Sequence, residues 1–254
     1  MVTFYLQCAA TVCLVFLGWS ALAVSRSIPH ALEKHRAAWR LVGIAFILHS
    51  SDLLIQNVFA GLALLRGTSS RLMAVFVDLM PLFNHSRTFL LLGLCAALCL
   101  LGLWNKPVTG GFWRAAYALL AVGLVSGAVV GRVEGPFVVM VHFTAVAVWD
   151  VVELLLLLTA LFILLLKSAA DRHLWSMLAL YAFSLALGVF WSAAFSQADI
   201  PNTWSPPPWT IAAVRTAIYL LMLGFVLRRW ALARRGTEVP AMFDSPRVQP
   251  SFLH

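Results

Sequence analysis

Seven apolar runs separated by short polar stretches follow one another along the chain, at about 3–25, 41–65, 74–104, 113–131, 137–166, 174–196 and 208–229. Each reaches or approaches the ~20 residues that an α-helix needs to cross a bilayer. The pattern predicts an all-α fold, a polytopic seven-transmembrane-helix bundle occupying residues 1–235 as one membrane domain. Residues 236–254 are expected to form a short, disordered cytoplasmic tail. The third run would measure roughly 50 Å as one helix, more than a ~30 Å hydrocarbon core, and contains Pro81. A break or kink is expected there, with residues before it forming an interfacial or re-entrant piece.

The fifth run, Pro136 to Lys167, is apolar throughout except for His142, Asp150 and Glu153. An ionised carboxylate near the bilayer centre costs roughly 2.5–3.5 kcal/mol even on the lenient insertion scale, so these residues should face protein or water. At ~100° per residue His142 and Glu153 fall within about 20° of one another, with Asp150 on their flank. In the second run His49, Asp52 and Gln56 stand at i, i+3 and i+7, again one face. The third run adds Asp78, Asn84, His85 and Arg87, and the seventh adds Arg215. In the fourth, Gly123, Ser126, Gly127 and Ala128 suit close helix contact.

Composition agrees: 62% of the 254 residues are hydrophobic and 11% charged, against about 25% charged in soluble domains. The net charge of +8 does not signal nucleic acid, because the basic residues lie between apolar runs instead of gathering on one solvated face. They report topology instead. With alternating spans, thirteen fall on one side: Arg26, Lys34, Arg36, Arg40, Lys106, Arg114, Lys167, Arg172, Arg228, Arg229, Arg234, Arg235 and Arg247. Only Arg66, Arg71 and Arg132 fall on the other. The excess of basic loops belongs in the cytoplasm, which places the N-terminus outside, the C-terminus inside, and the protein in the plasma (cytoplasmic) membrane. Ala21-Leu22-Ala23 resembles a signal-peptidase site, but no basic n-region precedes it and the apolar run is too long, so the first run is kept as a helix. The four cysteines, Cys8, Cys13, Cys95 and Cys99, all lie in apolar runs and are expected to pack, with no metal site.

Depth follows from orientation at ~1.5 Å per residue. His49 falls in the inner half, Asp52 and Asp150 near the middle, Gln56 and His142 in the outer half, and Asp78, Asn84, His85, Arg87 and Arg215 in the outer third. This predicts a polar pocket open to the outer side with Asp52, Asp150 and Glu153 at its floor. The same arginines and carboxylates also suit ion pairs that pin helices together.

Several seven-helix families are excluded by single residues. A retinal protein needs a lysine in the middle of its last helix, where this chain has Ala217 to Leu221; zinc hydrolases of the adiponectin-receptor type need histidines in that helix, and it has none. His49, His85 and His142 allow at most one bis-histidine haem pair. The Gly135-Pro136 to His142 stretch and the helix spacing are similar to seven-helix sensor modules of bacterial histidine kinases, a pattern open to any apolar bundle that assigns no family. Three functions remain. One is a receptor-like or sensory protein whose Arg87, Arg215, His85, Asn84, Asp78 and Gln56 meet a small anionic or amphipathic ligand, with a protein partner at the cytoplasmic loops. Another is an intramembrane enzyme on a lipid or isoprenoid-like substrate, with catalytic candidates Asp150, Glu153, His142, His49 and Asp52. The last is a proton-coupled carrier or a membrane subunit of a redox complex. The sequence specifies no cofactor.

Overall fold

The computed structural model describes residues 2–29, 32–66, 71–103, 111–131, 148, 151–163, 171–195 and 209–235. All of the regular structure in them is helical. In chain order the helices are α1 (Val2–Ser27), α2 (Glu33–Arg66), α3 (Arg71–Leu103), α4 (Gly111–Gly131), α5 (Val151–Ile163), α6 (Arg172–Phe195) and α7 (Trp209–Arg234). Five of them, α1, α2, α3, α6 and α7, contain stretches long and apolar enough to cross a membrane, while α4 and α5 contribute shorter apolar stretches. In hydrocarbon every backbone polar group must be satisfied within the segment, which leaves the helix as the conformation for each of these runs.

Helix ends follow local chemistry. Ser27 closes α1 two residues before Pro29, and the Leu32 backbone N–H bonds to the Pro29 carbonyl at 3.0 Å just before α2. Asp171 caps α6: its Oδ1 accepts the His173 backbone N–H at 3.0 Å, satisfying one of the orphan donors of the first turn. Helix α2 begins at Glu33, eight residues before the apolar run, so Lys34, Arg36 and Arg40 ride on its first turns. Helix α3 runs unbroken through Pro81. The expected break into a separate re-entrant piece does not occur: proline removes one backbone donor, and the turns on either side carry the helix past it. At 34 and 33 residues, α2 and α3 are each roughly 50 Å long, and their apolar stretches, Glu33–Ile55 and Leu79–Leu101, cover only part of that length.

Helix α1 packs between α2 and α7, α2 also meets α3, α3 meets α4, and α6 meets α7. Two of these contacts depend on glycine. At the α1/α2 crossing, a Cβ on Gly18 would stand 3.0 Å from the Gly43 carbonyl oxygen, and one on Gly43 the same distance from that of Gly18. At the α3/α4 contact, a Cβ on Gly127 would lie 2.6 Å from the Pro81 carbonyl and one on Gly123 2.6 Å from the Ser86 Cα. Hydrogen in place of a side chain lets each pair of backbones approach, and dispersion over the length of the contact supplies the attraction that lipid does not. The apolar core lies among α1, α2, α3, α5, α6 and α7, around Leu14, Trp39, Phe46, Leu91, Leu157, Met177, Leu178 and Met222.

Candidate functional site

Tyr181, Ser184 and Gly188 share one face of α6 and Asp171 stands at its N-terminus; α7 runs antiparallel, so that each but Tyr181 meets a counterpart on it. Asp171 faces Arg229, Ser184 faces Tyr219, and Gly188 faces Arg215. The result is a polar seam through an otherwise apolar bundle.

At one end of the seam the Arg229 Nε–H donates to Asp171 Oδ2 at 2.7 Å, with both side chains almost wholly buried. The Trp39 indole N–H of α2 donates to the same oxygen at 3.1 Å. One carboxylate thus ties together α2, α6 and α7. In the middle, the Ser184 hydroxyl donates to Tyr219 at 3.3 Å. The Tyr181 hydroxyl donates to Glu153 Oε1 of α5 at 3.0 Å, and Glu153 is only 2% exposed. Phe46 and His49 of α2 pack at right angles to the Tyr181 ring, with centroids 5.1 and 5.6 Å away. Cys95 of α3 stands in the electrostatic neighbourhood of Glu153.

At the other end Arg215 of α7 meets Gly188 of α6, and its charge and that of Arg87 on α3 both act on His49 of α2. The Arg215 guanidinium lies on the α6 backbone in the space that a Gly188 side chain would occupy. Its Nε is buried and has no hydrogen-bond partner among the described residues, as is also true of His49 Nδ1.

Of the residues singled out from sequence, His49 and Glu153 meet at Tyr181, Arg215 lies against Gly188 in the α6/α7 seam, and Arg87 is partly buried on α3. His85 points elsewhere: its Nδ1 stands 2.9 Å from the Ser126 hydroxyl, at the contact with α4. Asn84 is partly buried on the same helix. Asp52 and Gln56 belong to α2 and Asp78 to α3, but their side chains lie outside the described residues, as do His142 and Asp150 altogether. No group of three or more His, Cys, Asp or Glu side chains suited to a metal ion occurs among the described residues. Sequence reading missed Asp171, Arg229, Trp39 and Gly188. The spacing of Tyr181, Ser184 and Gly188, at i, i+3 and i+7, repeats that of His49, Asp52 and Gln56 and was the available signal.

No family model, no curated protein and no solved structure matches the chain. What it is must therefore be taken from its own architecture: an all-helical, multi-pass membrane protein with a polar seam buried between its helices.

Proposed function

We propose that the chain is a receptor-like, seven-span membrane protein that binds a small anionic ligand between α2, α3, α6 and α7, with Arg215 as the principal contact. The carrying observation is the buried Arg215 Nε, which no acceptor among the described residues meets. A guanidinium offers five donors in a planar fork that matches a carboxylate or phosphate, and an unmet donor away from water costs about 1–3 kcal/mol. His49, on which the charge of Arg215 acts, adds hydrogen-bonding capacity through its buried Nδ1. The excess of Lys and Arg on one set of loops supports an external N-terminus, a cytoplasmic C-terminus and a site nearer the outer face of the plasma membrane. The basic inner loops would then carry the response to a partner protein.

The test is thermal denaturation of the purified full chain in neutral detergent with acetate, benzoate and inorganic phosphate. An anion that raises Tm for the wild type and for Arg40→Gln, but not for Arg215→Gln, supports the reading. Equal shifts in all three proteins would sink it.

A second reading rests on Tyr181, which joins Glu153 through its hydroxyl and His49 through its ring. A carboxyl and an imidazole brought to one tyrosine suit acid–base chemistry on a lipid-like substrate, or proton relay. Under that reading, lipid turnover or proton uptake in proteoliposomes is lost in Glu153→Gln and kept in Arg215→Gln.

A further inference from the structure

One face of α6 holds a carboxylate at one point and a cation at another. The Tyr181 hydroxyl donates to Glu153 at 3.0 Å, and at Gly188, seven residues and roughly 10 Å further along the helix, the Arg215 guanidinium lies on the backbone. Ser184 and Tyr219, hydrogen-bonded to one another and each 1% exposed, stand between them along the seam. Arg215 itself is at the centre of the buried face of α7, with Ile218 and Met222 on one side and Ala212 and Tyr219 on the other, so an anion held there is enclosed by protein. Water and salt screen charges in such a place far less than at a surface. Glu153 faces Cys95 of α3 and Tyr181 of α6; beside Tyr181 stand His49 of α2 and Tyr219 of α7, and the charge of Arg87 on α3 reaches His49 as that of Arg215 does.

A cation and a carboxylate enclosed at this separation stabilise one another's charge. An anion that neutralises Arg215 removes that support from Glu153 and sets a second negative charge in the same bundle. A proton taken from bulk water onto a Glu153 oxygen restores the balance. Tyr181 serves both forms, since its hydroxyl donates to the carboxylate and its oxygen accepts from the protonated acid. We propose that anion binding at Arg215 is coupled to proton uptake at Glu153, so that the chain takes up an anion and a proton together. This rests on the reading of Arg215 as the ligand contact and adds the ion that accompanies the ligand. At an effective interior dielectric constant of about 20 and a separation of about 10 Å, protonating Glu153 strengthens anion binding about tenfold, and by reciprocity the anion favours the proton by the same factor.

The experiment titrates benzoate into the purified full chain in maltoside detergent between about pH 5.5 and 8, where a carboxylate ligand stays ionised. Calorimetry in two buffers of different ionisation enthalpy reads the affinity and the protons exchanged. For the wild type, Kd is expected to tighten by up to about tenfold as pH falls, with net proton uptake on binding. Glu153→Gln, neutral at every pH, should bind about tenfold more tightly than the wild type at the upper end of the range and exchange no proton. His49→Gln should still take up a proton, and Arg215→Gln should not bind. A Kd independent of pH with equal heats in both buffers overturns the coupling and leaves the anion site standing, as does proton uptake that persists in Glu153→Gln or disappears in His49→Gln. Absence of benzoate binding at every pH overturns both. Should Glu153→Gln not fold, the wild-type heats decide whether a proton accompanies the anion, and His49→Gln decides whether the imidazole takes it.

Discussion

Replacing Asp171 with alanine tests whether one carboxylate holds three helices. The substitution removes the only described partner of the Arg229 Nε–H and strands a cation that is 3% exposed, while Arg229 Nη2 is already buried without a partner among the described residues. Breaking a buried pair from one side costs about 3–5 kcal/mol. Loss of the Trp39 indole bond adds about 1–3 kcal/mol, and loss of the α6 cap about 1 kcal/mol. These terms overlap because water reaching Arg229 relieves part of each, so about 4–6 kcal/mol is expected, a large share of the ~5–15 kcal/mol that stabilises a typical domain. Arg229→Met keeps the cap and the indole bond and should cost less, about 2–3 kcal/mol. The assay is unfolding in mixed maltoside and dodecyl sulfate micelles, followed by tryptophan fluorescence. A double-mutant cycle of Asp171→Asn with Arg229→Met should show coupling of about 2 kcal/mol, the neutral pair recovering much of what either single change loses. A loss below about 1 kcal/mol for Asp171→Ala, or strictly additive effects in the cycle, refutes the reasoning.

Gly127→Leu drives a side chain into the Pro81 carbonyl and should detach α4 from α3 at a cost of about 1–3 kcal/mol or more, seen as a lowered Tm, whereas Ala128→Leu on the exposed neighbour should be near neutral. Tyr181→Phe leaves Glu153 without its hydroxyl donor and should destabilise by about 1.5–3 kcal/mol, which Glu153→Gln, keeping an acceptor, should do less severely. With the four native cysteines replaced by alanine, Gly236→Cys should react with a membrane-impermeant maleimide in inverted vesicles and not in intact cells; labelling in intact cells would reverse the proposed orientation.

The helices were legible because a bilayer tolerates few alternatives: seven apolar runs announce themselves at the level of composition, and Gly123 and Gly127 mark a close contact by their spacing alone. Pro81 left a break and a bend both open, because proline reports a missing hydrogen bond and its effect depends on whether neighbouring turns carry the helix past it, as they do in α3. In the candidate site, Glu153, His49, Arg87 and Arg215 stood out as charges or imidazoles in apolar surroundings. Asp171 did not, since it sits between Lys167 and Arg172 at the edge of a run and looks like an ordinary loop carboxylate. Gly188 was invisible for the opposite reason. Its role is an absent side chain, and only the Arg215 that lies on it gives it meaning.

The contact of α1 with α7 sets a timetable for synthesis. The Thr216 hydroxyl donates to the Leu6 carbonyl at 3.2 Å across 210 residues, so the first helix made finds one of its neighbours only when the last is delivered. At about 5–20 residues per second that wait is about 10–40 s. The α1/α2 hairpin, locked at Gly18 and Gly43, is the species that must endure it, with the flank meant for α7 turned to lipid. A chain cut short before Trp209 would halt at that stage, its first hairpin formed and its bundle open on one side.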